Sequence, residues 1–372
     1  METVKRNILL NPGPATTSDT VKQAMVVPDI CPREAEFCDI MNSIKLDLPK
    51  VVNGKDEYVS VLFASSGTGG VESAITSAVP KDGKLLIIEN GSYGTRMCKI
   101  AERYTIPFIS YSIAYGDFPD LGEIESLIQK DKEITHLAVI DHETTTGMRN
   151  PVQAICDLAH KYTIEVIVDC MSSFAGLEID LQKWKAEYII SSSNKCIQGM
   201  AGLSFVIFKK ALLEKIKGNA RSFYFDLYEQ YSGFQKSGQM QFTPPVQVVY
   251  ALRKAIDEFF TETLQGRIAR YRENYECLYN GLEKMGFRFL LPDAQQSGIL
   301  LAVLEPQNPE FSFDAMHDFL YERNFTIYPG KGAKEATFRL SVLGDLFKID
   351  IEGFLNMLSE YLVQAGINKP DY

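Results

Sequence analysis

The chain has 372 residues, 45% of them hydrophobic and 23% charged, with a formal net charge of −10. That is the composition of a globular protein with one large domain or two ordinary ones, and the acidic balance argues against non-specific binding to nucleic acid or anionic membranes. No apolar run approaches the roughly 20 residues that span a bilayer, and the opening METVKRNILLNPGPATT does not read as a secretory signal.

From about residue 58 to 209, short apolar runs alternate with helical stretches. The runs are YVSVLFA (58–64), KLLIIE (84–89), IPFISYSI (106–113), HLAVIDH (136–142), EVIVDC (165–170), YIISSS (188–193) and LSFVIFKK (203–210). Several are continuous in Val, Ile and Leu, as expected of strands covered on both faces. Between them lie helix candidates at 70–79, 95–104, 121–130 and 151–162, the last with Pro151 in its first turn. This alternation predicts a mainly parallel, seven-stranded α/β sheet layered with helices. The last run follows its predecessor with little room for a crossover helix, so it is expected to run antiparallel.

After about 245 the pattern changes. PPVQVVYALRKAIDEFFTE reads as one helix and LQGRIARYRENYECLYNGLEKMG as another, ending at Gly286. A strand pair, a helix near 312–323, a strand at 337–344 and a helix at 348–364 follow. The expected division is a large domain over 16–262 and a small α+β domain over 263–372, joined by residues 1–15.

In open α/β sheets, ligands sit at the carboxyl ends of the strands. The first run ends in SSGTGG, where Gly67, Gly69 and Gly70 allow a sharp turn into a helix whose free N–H groups suit a phosphate. An ordinary glycine-rich βα turn would look the same. The second run ends in NGSYGTR, offering Tyr93 as a flat aromatic face or a packed loop tyrosine. The fourth ends in ETTTGM, with hydroxyls at Thr144, Thr145 and Thr146 that also suit a turn. The fifth delivers Asp169 and the sixth delivers Ser193, Asn194 and Lys195. For Asp169 and Lys195 the bland alternative is an ion pair at the sheet edge.

Together these ends offer a phosphate cradle, an aromatic face, hydroxyls, an acid and an amine. Pyridoxal phosphate needs all five. Its imine needs a lysine, and its ring nitrogen needs an anion beside it to stay protonated. Its phosphate and ring need the rest. The four histidines show no metal-ligand spacing. DHE at 141–143 is a weak metal candidate, because adjacent strand residues face opposite ways. The seven cysteines are scattered without a C-x-x-C, and read as the reduced thiols of a cytoplasmic protein.

N-P-G-P near the start, S-S-G-T, N-G-S-Y-G-x-R, H-E-T-T-T-G, V-D-C-M-S-S-F and S-S-S-N-K-C-I-Q-G together resemble the class V, fold-type I aminotransferases along essentially the whole chain. Within that family, H-E-T-T-T-G-M-x-N-P, M-S-S-F and S-x-N-K-C-I-Q-G are most similar to the branch that acts on 2-aminoethylphosphonate. The alternative branch is alanine–glyoxylate or serine–pyruvate transfer. The resemblance implies that Lys195 carries the cofactor and then moves the substrate proton. It further implies that Asp169 pairs with the ring nitrogen, Tyr93 stacks on the ring and Thr144 meets its phenolic-oxygen side. Ser66, Gly67 and Thr68 would hold the phosphate, with Ser193 and Asn194 beside it. Thr243 would reach the phosphate of a partner subunit, which implies a homodimer with shared sites. A helix cap after Pro244 is the other reading of Thr243.

Arg339 matches the family arginine that clamps the substrate anion, and Gly13 would offer it a backbone N–H. Arg33, in a stretch that departs from the pattern of degradative relatives, is either a surface residue or a second contact to a phosphonate. The positive surroundings implied for Lys195 should lower its pKa. A desulfurase-like lyase would need a cysteine on a mobile loop. Cys170 and Cys196, beside Asp169 and Lys195, read as packing residues instead. A non-catalytic nucleotide-binding module is the remaining alternative.

Overall fold

The structure, a computed structural model, describes residues 6–330, 332 and 335–372. Its main sheet contains β1 (Tyr58–Phe63), β2 (Lys84–Glu89), β3 (Phe108–Ser112), β4 (Ile134–Ile140), β5 (Glu165–Asp169), β6 (Tyr188–Ser192) and β7 (Ser204–Lys209). Their spatial order is β1-β7-β6-β5-β4-β2-β3. All neighbours pair in parallel except at β7, which is antiparallel to both β6 and β1. The link 193–203 holds no helix, so the chain turns back where a parallel crossover would need one.

The continuous apolar runs feed two cores by simple alternation. Leu86, Ile88, Leu137, Val139, Val166 and Val168 face one layer. Leu85, Ile87, Ala138, Ile140 and Ile167 face the other. Successive side chains on a strand point to opposite faces, so a strand buried on both sides must be apolar throughout. The expected helices form at Gly67–Ala78, Ser92–Arg103, Leu121–Lys130 and Val152–Lys161. Pro151 takes the N-cap of the last one and not its first turn.

Helices Val246–Glu262 and Leu264–Met285 meet at Thr263, which has positive φ and caps the second helix through its hydroxyl. The second helix stops at Gly286 in the left-handed region. Beyond it, Leu300–Leu304, Thr337–Ser341 and Tyr328–Pro329 form a three-stranded antiparallel sheet. The expected strand pair after Gly286 is reduced to one strand, with Phe289 only bridging Val303. Pro292 and the 3₁₀ turn Asp293–Gln295 interrupt the first partner. A third core gathers Leu278, Leu301, Leu340, Phe354 and Leu358, and also takes in Ile8 and Leu10 from the amino-terminal segment. Ile8–Leu9 pairs with Phe325–Thr326, which carries residues 11–14 across to the main sheet.

Candidate active site

The carboxyl ends of β1, β2, β5 and β6 open on one cavity of about 440 Å³. The helix Gly67–Ala78 points its amino terminus into it. Ser66 is the N-cap, but its hydroxyl makes no capping bond, so first-turn N–H groups remain available to an anion. Gly67 lies in close approach to Met171: a Cβ there would lie 2.3 Å from its Sδ, so the methionine would have to move. Thr68 Oγ1 accepts a hydrogen bond from Arg96 Nη1 at 3.1 Å. The Arg96 guanidinium also lies 4.8 Å from the centre of the Tyr93 ring, a cation–π contact. One rim of the cavity therefore carries N–H groups, two hydroxyls and a fixed cation.

The opposite side carries the acid and the amine. Asp169 ends β5, and its Oδ1 accepts from the Met171 N–H at 2.8 Å. Burial pushes its carboxyl up to about 7, helped by the charge of Glu143 and opposed by Arg96 and Lys195. Lys195 Nζ donates to the Pro12 carbonyl at 2.7 Å. Burial lowers its pKa to about 8, and Arg339 and Arg96 push the same way. The positive surroundings expected from sequence are present, but burial is the larger cause. A second, smaller recess continues the cavity, lined by His142, Thr144, Asp169, Tyr93 and Lys195 among others.

Ser66, Gly67, Thr68, Tyr93, Asp169, Asn194 and Lys195 all line the main cavity, and Thr144 lines the recess. Gly13 is against Lys195, with φ +126°, and a Cβ there would lie 2.2 Å from Nζ. Arg339 is buried on its strand, donating through Nε to the Pro329 carbonyl at 3.1 Å. Its charge bears on Lys195.

Three residues are elsewhere. Ser193 is buried away from the cavity and spends its hydroxyl on the Met200 and Leu203 carbonyls. Ser192 lines the cavity in its place, because neighbours at a strand end face opposite ways. Arg33 is exposed, with Nη1 donating to Gln239 Oε1 at 2.7 Å, and does not line this chain's cavity. Thr243 is also exposed and outside it. The helix after it is capped at Pro245 without any side-chain bond, which removes the capping role for Thr243.

Sequence reading missed Arg96, His142, Glu143, Met171 and Ser192. Arg96 had a usable signal, since it follows Tyr93 by three positions and shares its helix face. His142 Nδ1 is 2.9 Å from Ser172 Oγ, while Nε2 is buried with no hydrogen-bond partner in the protein. Burial holds this imidazole down to about 3, so it is neutral. An orphaned polar atom at the recess, an uncapped helix start, and an acid facing an amine form a donor set that fits pyridoxal phosphate. The DHE side chains part to separate partners: Asp141 is drawn to Arg149, His142 to Ser172 and Glu143 to Thr145.

A model of the class-V aminotransferase family matches residues 21–333. A 2-aminoethylphosphonate–pyruvate transaminase from Bacillus cytotoxicus is 40% identical over 359 residues, covering 96% of this chain and 98% of the relative. Another from Vibrio vulnificus is 39% identical, covering 95% and 97%. The solved alanine–glyoxylate aminotransferase of a Nostoc species has the same fold, with a TM-score of 0.88 at 25% identity over 97% of this chain and 96% of that one. A family model spanning most of the chain, and relatives similar along nearly all of it, establish that this chain belongs to the class-V aminotransferases and has their fold-type I architecture.

Proposed function

We propose that this aminotransferase uses pyridoxal phosphate to move the amino group between 2-aminoethylphosphonate and pyruvate, interconverting them with phosphonoacetaldehyde and L-alanine. The observation that carries the cofactor reading is the meeting of Asp169, Lys195 and an uncapped helix start on one cavity. The substrate reading is supported by relatives of that activity at about 40% identity. The same reading takes the enzyme as a cytoplasmic homodimer with shared sites. The absence, among the described residues, of a helix long and apolar enough to cross a membrane accords with it. We divide it into a large domain (16–262) and a small one (263–372 with 1–15), a division supported by the separate third core.

Pyridoxal phosphate supplies an electron sink that lets the substrate's amine-bearing carbon give up a proton. Lys195 Nζ, once neutral, is placed to take this proton from the amine-bearing carbon and would hand it on to the cofactor side, not back to the same carbon; its lowered pKa makes the neutral form accessible near neutrality. Asp169 would keep a proton on the ring nitrogen, and Tyr93 would cover the ring. Ser66, Gly67, Thr68 and Asn194 would hold the phosphate, joined by Arg96 and Ser192. Thr144 would meet the phenolic side. Arg339 binds the substrate anion, since a guanidinium fork suits both carboxylate and phosphonate. Gly13 presents its N–H beside Lys195. In 2-aminoethylphosphonate the anion sits one carbon further from the amine-bearing carbon than in alanine, so one clamp must serve two reaches. A desulfurase-like role is disfavoured, because burial pushes the Cys196 thiol up to about 12 and raises Cys170 as well.

The test is a set of half-reactions followed by cofactor absorbance, using 2-aminoethylphosphonate, L-alanine and L-serine. The phosphonate and alanine should each convert the cofactor. Conversion by serine without the phosphonate would assign the chain to the alanine–glyoxylate and serine–pyruvate branch. Borohydride treatment of the wild-type enzyme should fix the cofactor on Lys195, and Lys195→Ala should abolish this.

A further inference from the structure

Glu143 lies in the loop after β4 and is fully buried, yet the chemistry above does not use it. Its Oε2 accepts from the Tyr93 N–H at 3.2 Å. Its Oε1 accepts from the Thr145 N–H at 3.0 Å and from the Thr145 hydroxyl at 2.5 Å. Thr145 Oγ1 in turn accepts from the Ser92 N–H at 3.3 Å. The helix Ser92–Arg103 needs this outside help, because its N-cap is Gly91, which makes no side-chain cap. Gly91 also leaves the space: a Cβ there would lie 2.2 Å from the Glu143 carboxyl carbon. A carboxylate supplied from another loop thus caps the helix that carries Tyr93, where the helix dipole favours negative charge. Burial raises this carboxyl above its ordinary range, opposed by the N–H and hydroxyl donors around it, each of which favours the ionised form.

We infer that Glu143 is a positioning residue. Its carboxylate ties the start of the Tyr93 helix to the Thr144–Thr146 loop, and so sets the gap between the tyrosine ring and the cavity floor into which the cofactor ring fits. The inference rests on the proposed role of Tyr93 but not on the identity of the amino substrate. Glu143 acts through Tyr93 and touches no reacting atom. Its charge also bears on Asp169 and Arg339, the groups facing the ring nitrogen and the substrate anion.

A double-mutant cycle on cofactor affinity tests this. Apoenzyme is titrated with pyridoxal 5′-phosphate for wild type, Glu143→Gln, Tyr93→Ala and the double variant. Glu143→Gln keeps the shape but sets an amide N–H₂ against the Tyr93 N–H or loses the charge. It should weaken cofactor binding on the order of tenfold, the scale of one buried charge-assisted hydrogen bond. In the Tyr93→Ala background the same change should cost less than about threefold. Equal losses in the two backgrounds would overturn the inference, since a general structural defect does not depend on Tyr93. If Glu143→Gln does not fold, Thr145→Val removes one donor from Oε1 and runs through the same cycle with the same two outcomes. Wild-type titration reports the proposed cofactor separately, so failure of that reading is distinguishable from failure of this one.

Discussion

Burying a carboxyl and an amine at neighbouring strand ends moves both toward neutrality, against their mutual attraction, and the two effects have opposite signs in stability. Asp169 rises from 3.8 to about 7 in the folded apoenzyme, so the folded state holds more protons than the unfolded state between those values. Stability contributed by this group is therefore lost as pH climbs through that window. Lys195 falls from 10.5 to about 8, so between about 8 and 10.5 the unfolded state holds more protons. Its contribution is regained as pH rises there. The pair is least favourable near pH 7 to 8, where the bound cofactor would offer Asp169 a cation and Lys195 a covalent partner. Thermal melting of the apoenzyme against pH should show this. Wild type should lose stability from pH 4 to 7 relative to Asp169→Asn, which lacks the titrating group. Parallel curves for the two proteins would contradict the assignment.

The amino-terminal turn Asn11–Pro14 is an element with a single task. It is held from both sides, by Ala15 N–H donating to the Asn194 carbonyl at 2.9 Å and by Lys195 donating to Pro12. Gly13 is the only residue type that fits, because its φ of +126° and its contact with the lysine both exclude a Cβ. Gly13→Ala should therefore leave the far-UV dichroism unchanged while lowering kcat on the order of a hundredfold, the effect of about 2–3 kcal/mol of strain at the reacting amine. Borohydride trapping should show less cofactor on Lys195; normal trapping and normal turnover would refute it. The same distinction between element and contact explains what was legible in the sequence. The strands of the main sheet were readable because burial on both faces forces unbroken apolar runs, and the turn of β7 was readable from the missing crossover. The acid and the amine stood out as charges ending such runs. Ser192 and Ser193 could not be told apart, because one residue of slip at a strand end reverses the facing side. Glu143 was hidden because its partners are Thr145, two residues on, and the Tyr93 N–H at the start of a helix fifty residues away, and backbone donors leave no mark on composition. The first partner of the expected strand pair does not form, because Pro292 and the turn after it interrupt the run before Leu300.

At the scale of the whole molecule, three of the residues expected at the site lie outside this chain's own cavity, Ser193 buried away from it and the other two at the surface. Thr243 and Arg33 are exposed, and their segments are tied together by Arg33 donating to Gln239 and by Gln239 Nε2 donating back to the Arg33 carbonyl at 3.3 Å. Phe223, 83% exposed, packs its ring 5.7 Å from that of Phe242, next to Thr243. An exposed aromatic beside polar groups that the local site does not use is what a two-fold interface needs, since each copy gives a patch and receives one. If Thr243 serves the phosphate of a second copy, each site needs Lys195 from one chain and Thr243 from the other. Lys195→Ala should be inactive by itself. Thr243→Glu, which sets a carboxylate against the phosphate, should be nearly so. Dissociated and reassociated in equal amounts, half the dimers would pair one variant with the other. In each such dimer, one of the two sites would combine an intact Lys195 with an intact Thr243. Activity should recover to about a quarter of wild type. A mixture that stays inactive after confirmed subunit exchange would place Thr243 in its own chain's site or in none, and would remove the shared-site arrangement.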